Sequence, residues 1–275
     1  MKKMFWLFCA AMLAGLATAQ PVSEFISHPI ASHFAASADG KRIAWVVNHV
    51  GKRNIYFREN TGPIIALTNY ALDDGQELSD LTFSPDGTQL LFVRGGGPNR
   101  VGQMPNPASL AEGVEQAIWA LDVVSGGKPR KVANGNHPMF TADGTKIIFQ
   151  AGGRVDVVSA NAVEAARPLF HARGSNQMGP LSPDGKQLAF VSQRGDHNFI
   201  GIYHFDEHAI RWMAPEVGRD MHPVWSPDGK QLAFIRQPGQ KVGELGNLMG
   251  GLPFSIWVAE VATGKAKKIW QSPAD

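Results

Sequence analysis

The nine-residue string SPDGKQLAF occurs twice in this chain, at Ser182–Phe190 and at Ser226–Phe234. Three variants of it, SADGKRIAW, SPDGTQLLF and TADGTKIIF, begin at Ser37, Ser84 and Thr141. Every copy contains Asp-Gly and places an aromatic residue six positions after the aspartate. A motif that recurs at intervals of roughly 40 to 60 residues indicates a repeated supersecondary unit rather than a catalytic sequence.

The first half of each copy has the composition of a tight turn. Proline at the second position favours a φ of about −65°, the aspartate can hydrogen-bond to nearby backbone, and the glycine can adopt the left-handed conformation that closes a hairpin. We therefore predict five structural turns, at Asp39 and Gly40, Asp86 and Gly87, Asp143 and Gly144, Asp184 and Gly185, and Asp228 and Gly229.

The second half of each copy is apolar on consecutive positions, as in LAFV and LLFV. Continuous apolar runs indicate strands that are covered on both faces. Three further β-type segments accompany each run, which gives four short strands per repeat, a pattern typical of β-propeller blades. A stack of sandwiches or an open solenoid is the alternative. We predict an all-β propeller with five recognisable antiparallel blades, alone or as part of a seven- or eight-bladed ring, at approximately 30–68, 79–133, 137–170, 177–214 and 221–271.

The long connections of these predicted blades leave from one face. Gly95–Gln116 and Gln237–Phe254 join second to third strands, and that end of an antiparallel blade also carries the links between blades. We expect binding on this long-loop face. Candidate binding residues there are Asp73, Asp74 and Glu77 in one link, and Arg219, Asp220 and His222 in another. An acidic patch could hold a peptide amine and Arg219 a carboxylate; alternatively, these charges solvate loops or pair neighbouring blades.

The N-terminus has the pattern of a secretory signal. Lys2 and Lys3 precede the apolar run Met4–Leu16, and Ala17-Thr18-Ala19 matches a cleavage site of small residues. We predict a signal peptide at residues 1–19 and a periplasmic or secreted mature chain at 20–275. The single cysteine, Cys9, lies in the signal segment, so the mature chain has neither a disulfide nor a thiol nucleophile.

The charge of the mature chain is balanced. Lys2 and Lys3 account for the formal charge of +2. Nucleic acids and anionic membranes attract basic surfaces, so we expect neither as a partner, and no membrane span follows the signal segment.

Catalytic and metal-binding motifs are missing from the sequence. No serine has a glycine two positions before it, so no Gly-x-Ser-x-Gly elbow exists. No HExxH or paired-cysteine spacing occurs. We expect no catalytic residue, no metal and no cofactor.

The repeat resembles that of TolB-like propellers. The strings RIAWVVNHVGKRNIYF, LTNYALDDGQELSDLTFSPDG, FVRGGGPNR, EQAIWALDV and RDMHPVWSPDGKQLAF are similar, in this order, to the N-terminal propeller of secreted bacterial prolyl oligopeptidase-family serine peptidases, of the dipeptidyl-peptidase IV and acylaminoacyl-peptidase-like group. The resemblance implies a propeller that gates an α/β-hydrolase domain carrying a Ser-Asp-His triad.

No position here matches that triad, and Glu112 and Glu115 lack the flanking residues of the family's double-glutamate helix. The expected function is therefore the substrate-gating or binding portion of such a peptidase, truncated before its hydrolase domain and inactive alone, with a peptide or protein ligand.

Two other functions stay open at this point. The chain could be a stand-alone periplasmic TolB-like propeller, closed by a partner strand for the last blade such as Val22–His28. A carbohydrate-active propeller, such as a pectate-oligomer lyase, would need His and Gln metal ligands drawn from different blades.

Overall fold

The computed structural model describes residues 27–161, 164–239 and 253–273, which contain strands and turns and no helix. The predicted signal segment, residues 1–19, and positions 22–26 of the suggested closing strand lie outside the described residues. Within the described ranges no helix is long and apolar enough to cross a membrane.

The twenty strands of the described residues fall into five consecutive groups of four, which we call blades 1 to 5. Blade 1 comprises β1 (Ile30–Ala36), β2 (Arg42–His49), β3 (Lys52–Glu59) and β4 (Ile65–Ala66). Blade 2 comprises β5 (Leu78–Phe83), β6 (Gln89–Arg94), β7 (Ala117–Asp122) and β8 (Arg130–Asn134). Blade 3 comprises β9 (Asn136–Phe140), β10 (Lys146–Ala151), β11 (Arg154–Ser159) and β12 (Arg167–Pro168). Blade 4 comprises β13 (Ser175–Leu181), β14 (Gln187–Gln193), β15 (Asn198–His204) and β16 (Ala209–Met213). Blade 5 comprises β17 (Gly218–Trp225), β18 (Gln231–Pro238), β19 (Ser255–Glu260) and β20 (Ala266–Gln271).

Strands pair in chain order within every blade, and each of these pairs is antiparallel. Blades 1 to 3 are separate sheets, whereas blades 4 and 5 are joined by one parallel bridge between Asn198 and Arg219. The all-β fold of four-stranded antiparallel blades predicted from the repeat is thereby confirmed.

The Asp-Gly turns have one geometry, which the turn at Ser182 illustrates. The backbone N–H of Gly185 donates to the carbonyl of Ser182 (2.8 Å), and the Ser182 hydroxyl donates to Asp184 Oδ1 (2.6 Å). The same carboxylate accepts the N–H of Lys186 (3.1 Å). Gly185 has a φ of 69°, a conformation that costs glycine no steric strain. The motif therefore fixes the first hairpin of each blade locally.

Successive turns also contact one another. A side chain at Gly185 would place its Cβ 2.4 Å from the Cβ of Ala142 in the turn of blade 3, and one at Gly229 would place its Cβ 3.6 Å from Cδ of Pro183. The second motif position of one blade thus packs against the glycine of the next.

One packing rule joins consecutive blades. The aromatic residue six positions after the turn aspartate is fully buried in four blades: Phe92, Phe149, Phe190 and Phe234 are at most 1% exposed. Each lies in a cluster with apolar residues of the blade before it. In blade 4, the residues that receive Phe234 are Ala189, Val191, Ile200 and Ile202. In blades 2 to 4, the second strand is therefore apolar on both faces, because one face packs against the preceding blade and the other against the following blade.

The fifth aromatic, Trp45 of blade 1, differs. It is only half-buried and stacks on Tyr56 of its own blade, with ring centroids 6.4 Å apart. No blade of the described chain precedes blade 1, so the Trp45 face has no cluster of the kind that covers Phe92. The four clusters of buried residues join blades 1–2, 2–3, 3–4 and 4–5 within the described ranges.

The innermost strands share a bulge that the motif does not encode. His33, Asp80, His137 and His222 each lie six positions before a turn aspartate, and all have φ between 50° and 53°. The pairing register shifts at these positions. Bulges increase local twist and bending.

Removing one turn carboxylate tests the structural role of the motif. We expect Asp184→Ala to lower the free energy of unfolding by about 1 kcal/mol, because the Ser182 and Lys186 hydrogen bonds are lost, without changing ligand preference. Denaturant unfolding measures this. The control is Asp206→Ala, which lies in the exposed turn between β15 and β16, outside the Asp-Gly motif. An unchanged midpoint, or a stable variant with altered ligand preference, would contradict the assignment.

The same turns predict a loss of stability in acid. Hydrogen bonds from the Ser or Thr hydroxyl and from a backbone N–H lower the pKa of each turn aspartate below its ordinary 3.8. Because the folded-state pKa is depressed, this stabilisation is present above the unfolded pKa and is lost as pH falls through the folded one. Unfolding free energies measured between neutral pH and pH 2 should therefore converge for the wild type and Asp184→Asn. A constant difference would argue against ionised turn carboxylates.

Candidate ligand-binding site on the long-loop face

The β6–β7 loop and the link from blade 1 to blade 2 meet on the long-loop face. The N–H of Gly95 donates to the carbonyl of Glu77 (3.0 Å), and Arg94 pairs with Asp74. A Cβ on Gly75 would lie 2.1 Å from Pro107, so the link and the long loop are in van der Waals contact. This loop and this link therefore meet as predicted, whereas positions 240–252 of the other predicted long loop lie outside the described residues.

Two concavities open beside this loop. The smaller, which we call the Gln76 pocket, has a volume of about 170 Å³ and is lined by Asp74, Gln76, Arg94, Leu110, Gly113, Val114, Glu115, Ala117 and Trp119. The larger, which we call the loop groove, has a volume of about 640 Å³. Val114 and Glu115 line both, so pocket and groove adjoin.

Gln76 lines the pocket and carries a buried donor that has no partner within the described ranges. The residue is 6% exposed, and its Nε2 has no acceptor within hydrogen-bonding distance among the described residues. Its backbone N–H donates to Asp74 Oδ1 (2.9 Å), which holds this segment in place. A buried donor without a partner costs about 1–3 kcal/mol. An acceptor group on a ligand would recover that energy.

Arg94 and Asp74 form the polar floor of the pocket. The Arg94 guanidinium pairs with the Asp74 carboxylate and lies 4.8 Å from the ring centroid of Tyr70. Burial raises the pKa of the Tyr70 hydroxyl, the Asp74 charge adds to this, and Arg94 opposes it. With Arg94 and Asp74 neutralising each other, the pocket suits a neutral or partly charged acceptor better than a free ion.

The loop groove has an apolar side and a side rich in amides. Pro98, Met104 and Val114 of the β6–β7 loop form the first. The second is lined by Gln116, Asn134, Gly135, Asn136, Gln150, Ala151, Gly152 and Arg154, which belong to the end of that loop, the β8–β9 link and the β10–β11 hairpin.

Hydrogen bonds hold the amide side rigid. Gln150 Nε2 donates to the carbonyls of Arg154 and Asn176 (3.0 Å each), and its Oε1 accepts the N–H of Met178 (2.8 Å). Asn136 Nδ2 donates to Gln116 Oε1 (2.8 Å). A groove with fixed walls loses little conformational entropy when a ligand binds.

Glu115 lies where the pocket and groove meet. It pairs with Lys131, and the hydrogen bond from Lys131 lowers the pKa of the carboxylate. The side chain is exposed. By sequence, Glu115 is only a poor match to a family motif, but in the structure it lines both the pocket and the groove.

The first predicted group is only partly assembled. Asp74 lines the pocket, whereas the exposed Asp73 accepts the N–H of Gly75 (3.1 Å) and lies 3.9 Å from Arg53. Glu77 is exposed and follows Gln76 directly. The three carboxylates therefore do not form a single acidic patch.

The second predicted group is not in a link at all. Arg219, Asp220 and His222 belong to β17, the innermost strand of blade 5. Asp220 is fully buried and accepts two hydrogen bonds from Arg236, at 2.6 and 2.8 Å. Asp220 therefore pairs with the next strand of its own blade, and it neither solvates a loop nor pairs two neighbouring blades.

Arg219 and His222 are also separate from the pocket. The Nε of Arg219 is buried without an acceptor, and His222 is an exposed bulge residue. No hydrogen bond or ion pair between described residues joins Arg219, Asp220 or His222 to the Asp73–Glu77 segment.

Sequence reasoning missed most of the residues that line the site. Gln76 stands inside the quoted DDGQELSD string and Arg94 inside FVRGGGPNR, so both were visible as members of unusual segments. Gln116, Asn136 and Gln150 carry no spacing signal. Across the described residues, no three His, Cys, Asp or Glu side chains are arranged to hold a metal ion.

No family model matches this chain, and no curated protein matches it. A putative TolB from Agrobacterium tumefaciens is similar in structure, at 18% identity and a TM-score of 0.52, over 88% of this chain and 81% of that one. A puromycin hydrolase, solved as the S511A mutant complexed with PGG, is 12% identical with a TM-score of 0.61, over 90% of this chain and 38% of that one.

An oligogalacturonate lyase from Vibrio parahaemolyticus is 14% identical with a TM-score of 0.56, over 90% of this chain and 68% of that one. The chain thus spans well under half of the puromycin hydrolase and about four fifths of the Agrobacterium TolB. Identities this low establish the architecture alone. The chain has a TolB-like β-propeller fold.

Proposed function

We propose that this chain is a non-catalytic propeller that binds an extended peptide segment along the loop groove. It does so as the substrate-gating portion of a periplasmic or secreted prolyl oligopeptidase-family serine peptidase. The observation that carries the proposal is the buried, unpartnered Nε2 of Gln76 beside a groove with one apolar and one amide-lined side.

A peptide fits the chemistry of this site. Its backbone carbonyls are neutral acceptors for the Gln76 amide, and its apolar side chains suit Pro98, Met104 and Val114. A groove of about 640 Å³ is large enough for several residues of an extended chain. The balanced charge of residues 20–275 favours neither polyanions nor polycations.

One observation supports the peptidase role. The strings DDGQELSD and FVRGGGPNR, which carry the resemblance to the peptidase family, supply Asp74, Gln76, Arg94 and Pro98 to the site. No Gly-x-Ser-x-Gly sequence occurs in the chain, so catalysis would belong to another domain.

A stand-alone binding propeller is the second candidate, and a specific observation favours it. Blade 1 and blade 5 each contain four strands drawn from their own repeat. Neither terminal blade therefore depends on a strand supplied by another segment.

The binding site can be tested by screening a positional-scanning library of unstructured dodecapeptides against residues 20–275 and measuring the best peptide by fluorescence anisotropy. We expect Gln76→Leu to weaken that peptide roughly tenfold, because one buried hydrogen bond is lost, and Met104→Glu to weaken it through the apolar side.

Gln231→Leu is the matched control. Gln231 is exposed and follows the Asp-Gly turn of blade 5, at the end of the blade away from the long-loop face. Equal affinities of Gln76→Leu, Gln231→Leu and the wild type would place the ligand elsewhere.

The gating role is tested by the natural gene. We expect an open reading frame that encodes a Gly-x-Ser-x-Gly hydrolase to be continuous with, or adjacent to, the segment encoding this chain. A gene that stops after Asp275 with no such frame beside it would contradict gating and favour the stand-alone propeller.

A further inference from the structure

The two terminal blades expose opposite halves of the interface that joins all the other blades. In blades 2 to 5 the residue four positions after the turn aspartate packs against the preceding blade. It is fully buried in blades 2 to 5, at Leu90, Ile147, Leu188 and Leu232, but its counterpart Ile43 in blade 1 is 40% exposed. Ile43, Trp45 and Tyr56 form an apolar surface that we call the blade 1 outer face.

Blade 5 exposes the other half. Blade 4 receives blade 5 on Ala189, Val191, Ile200 and Ile202, all buried. The same register in blade 5 pairs Ala233 with Val258 and Ile235 with Ile256. These four residues are only half-buried, and we call them the blade 5 outer face. Ala233 and Ile235 correspond to Ala189 and Val191 of blade 4. The blade 5 outer face is therefore apolar in the same way as the surface of blade 4 that blade 5 covers.

We propose that the blade 5 outer face of one copy of this chain packs against the blade 1 outer face of a second copy, in a head-to-tail contact. Each copy carries both halves of one interface type, which is used four times within the chain. Inside the described ranges, no buried cluster joins blade 5 to blade 1. In the proposed contact, a second copy supplies to each face the kind of surface that covers its equivalents in the other blades.

Charge at the edges of the two faces favours the same pairing. Arg58 lies opposite Ile43 on blade 1, where the other blades have Leu121, Val158, Tyr203 or Ala259. Its Nε is buried and has no acceptor among the described residues.

An acceptor of the right sign lies on the other face. Glu260 follows Val258 by two residues on β19, so both side chains point to the same side of the strand. Glu260 is exposed, whereas His204, its counterpart in blade 4, is 7% exposed. In the proposed contact, the carboxylate of Glu260 from the second copy lies on the same edge of the interface as Arg58 of the first copy.

Such a contact is heterologous, because it joins two different surfaces. If both outer faces of each copy are covered by the other copy, the two copies form a closed ring. If they are not, further copies add to a growing chain. Either outcome buries apolar surface that is otherwise exposed to water.

Complementation between two variants tests the proposal. Ile43→Glu disables the blade 1 outer face, and Ile235→Glu disables the blade 5 outer face. Sedimentation velocity over a dilution series should show reversible oligomers for the wild type, monomers for each variant alone, and dimers that grow no further when the variants are mixed in equal amounts. Val101→Glu, at an exposed loop position, is the control and should behave as the wild type.

Charge reversal provides a second, independent readout. Arg58→Glu should weaken self-association, and mixing it with Glu260→Arg should restore the contact between the two chains. Circular dichroism and thermal unfolding of every variant confirm that the blades are folded.

Three results would overturn the proposal. A wild-type chain that stays monomeric at all concentrations would show that these faces are covered within the chain or reserved for a different partner. A single variant that still dimerises as the wild type does would indicate an isologous contact. A mixture of variants that stays monomeric would exclude the head-to-tail geometry.

Discussion

Packing between consecutive blades is the interaction on which this fold depends. A lone four-stranded sheet with two apolar faces cannot be stable in water, since each face needs a cover. In this chain, the face that carries the large aromatic residue packs against the preceding blade. The face with smaller aliphatic residues packs against the following blade. Burying one phenylalanine in this way contributes about 2 kcal/mol relative to leaving it exposed. Phe92, Phe149, Phe190 and Phe234 each occupy that position.

The same rule separates the ends of the molecule from its middle. Among the described residues, buried clusters cover both faces of blades 2, 3 and 4 and one face each of blades 1 and 5. Trp45 and Ile43 belong to the repeat by sequence, yet they are less buried than their counterparts because burial depends on a neighbour and not on the motif. This distinction also explains why an identical nonapeptide, at Ser182 and Ser226, is structural in both places.

Local features of the fold could be predicted from the sequence, and features that depend on register could not. The turns depend on residues two to five positions apart, so their motif is sufficient, as the Ser182, Asp184 and Gly185 contacts show. The pairing of Asp220 with Arg236 joins neighbouring strands, and only the register of β17 and β18 reveals it. Gln76 was visible as a letter in a polar string, but its burial depends on how the β6–β7 loop folds over the link. The left-handed bulges at His33 and its equivalents do have a local signal, since all four positions hold His or Asp, which tolerate positive φ, at one fixed distance before the turn aspartate.

The central claim is that stability comes from contacts between blades, repeated with one pattern. Hydrogen-exchange mass spectrometry on dilute protein compares the equivalent strands β2, β6, β10, β14 and β18 within one molecule. The account predicts the slowest exchange in β6, β10 and β14, whose blades are covered on both faces, and faster exchange in β2 and β18. Equal protection of all five strands, or the greatest protection in blade 1 or blade 5, would contradict it.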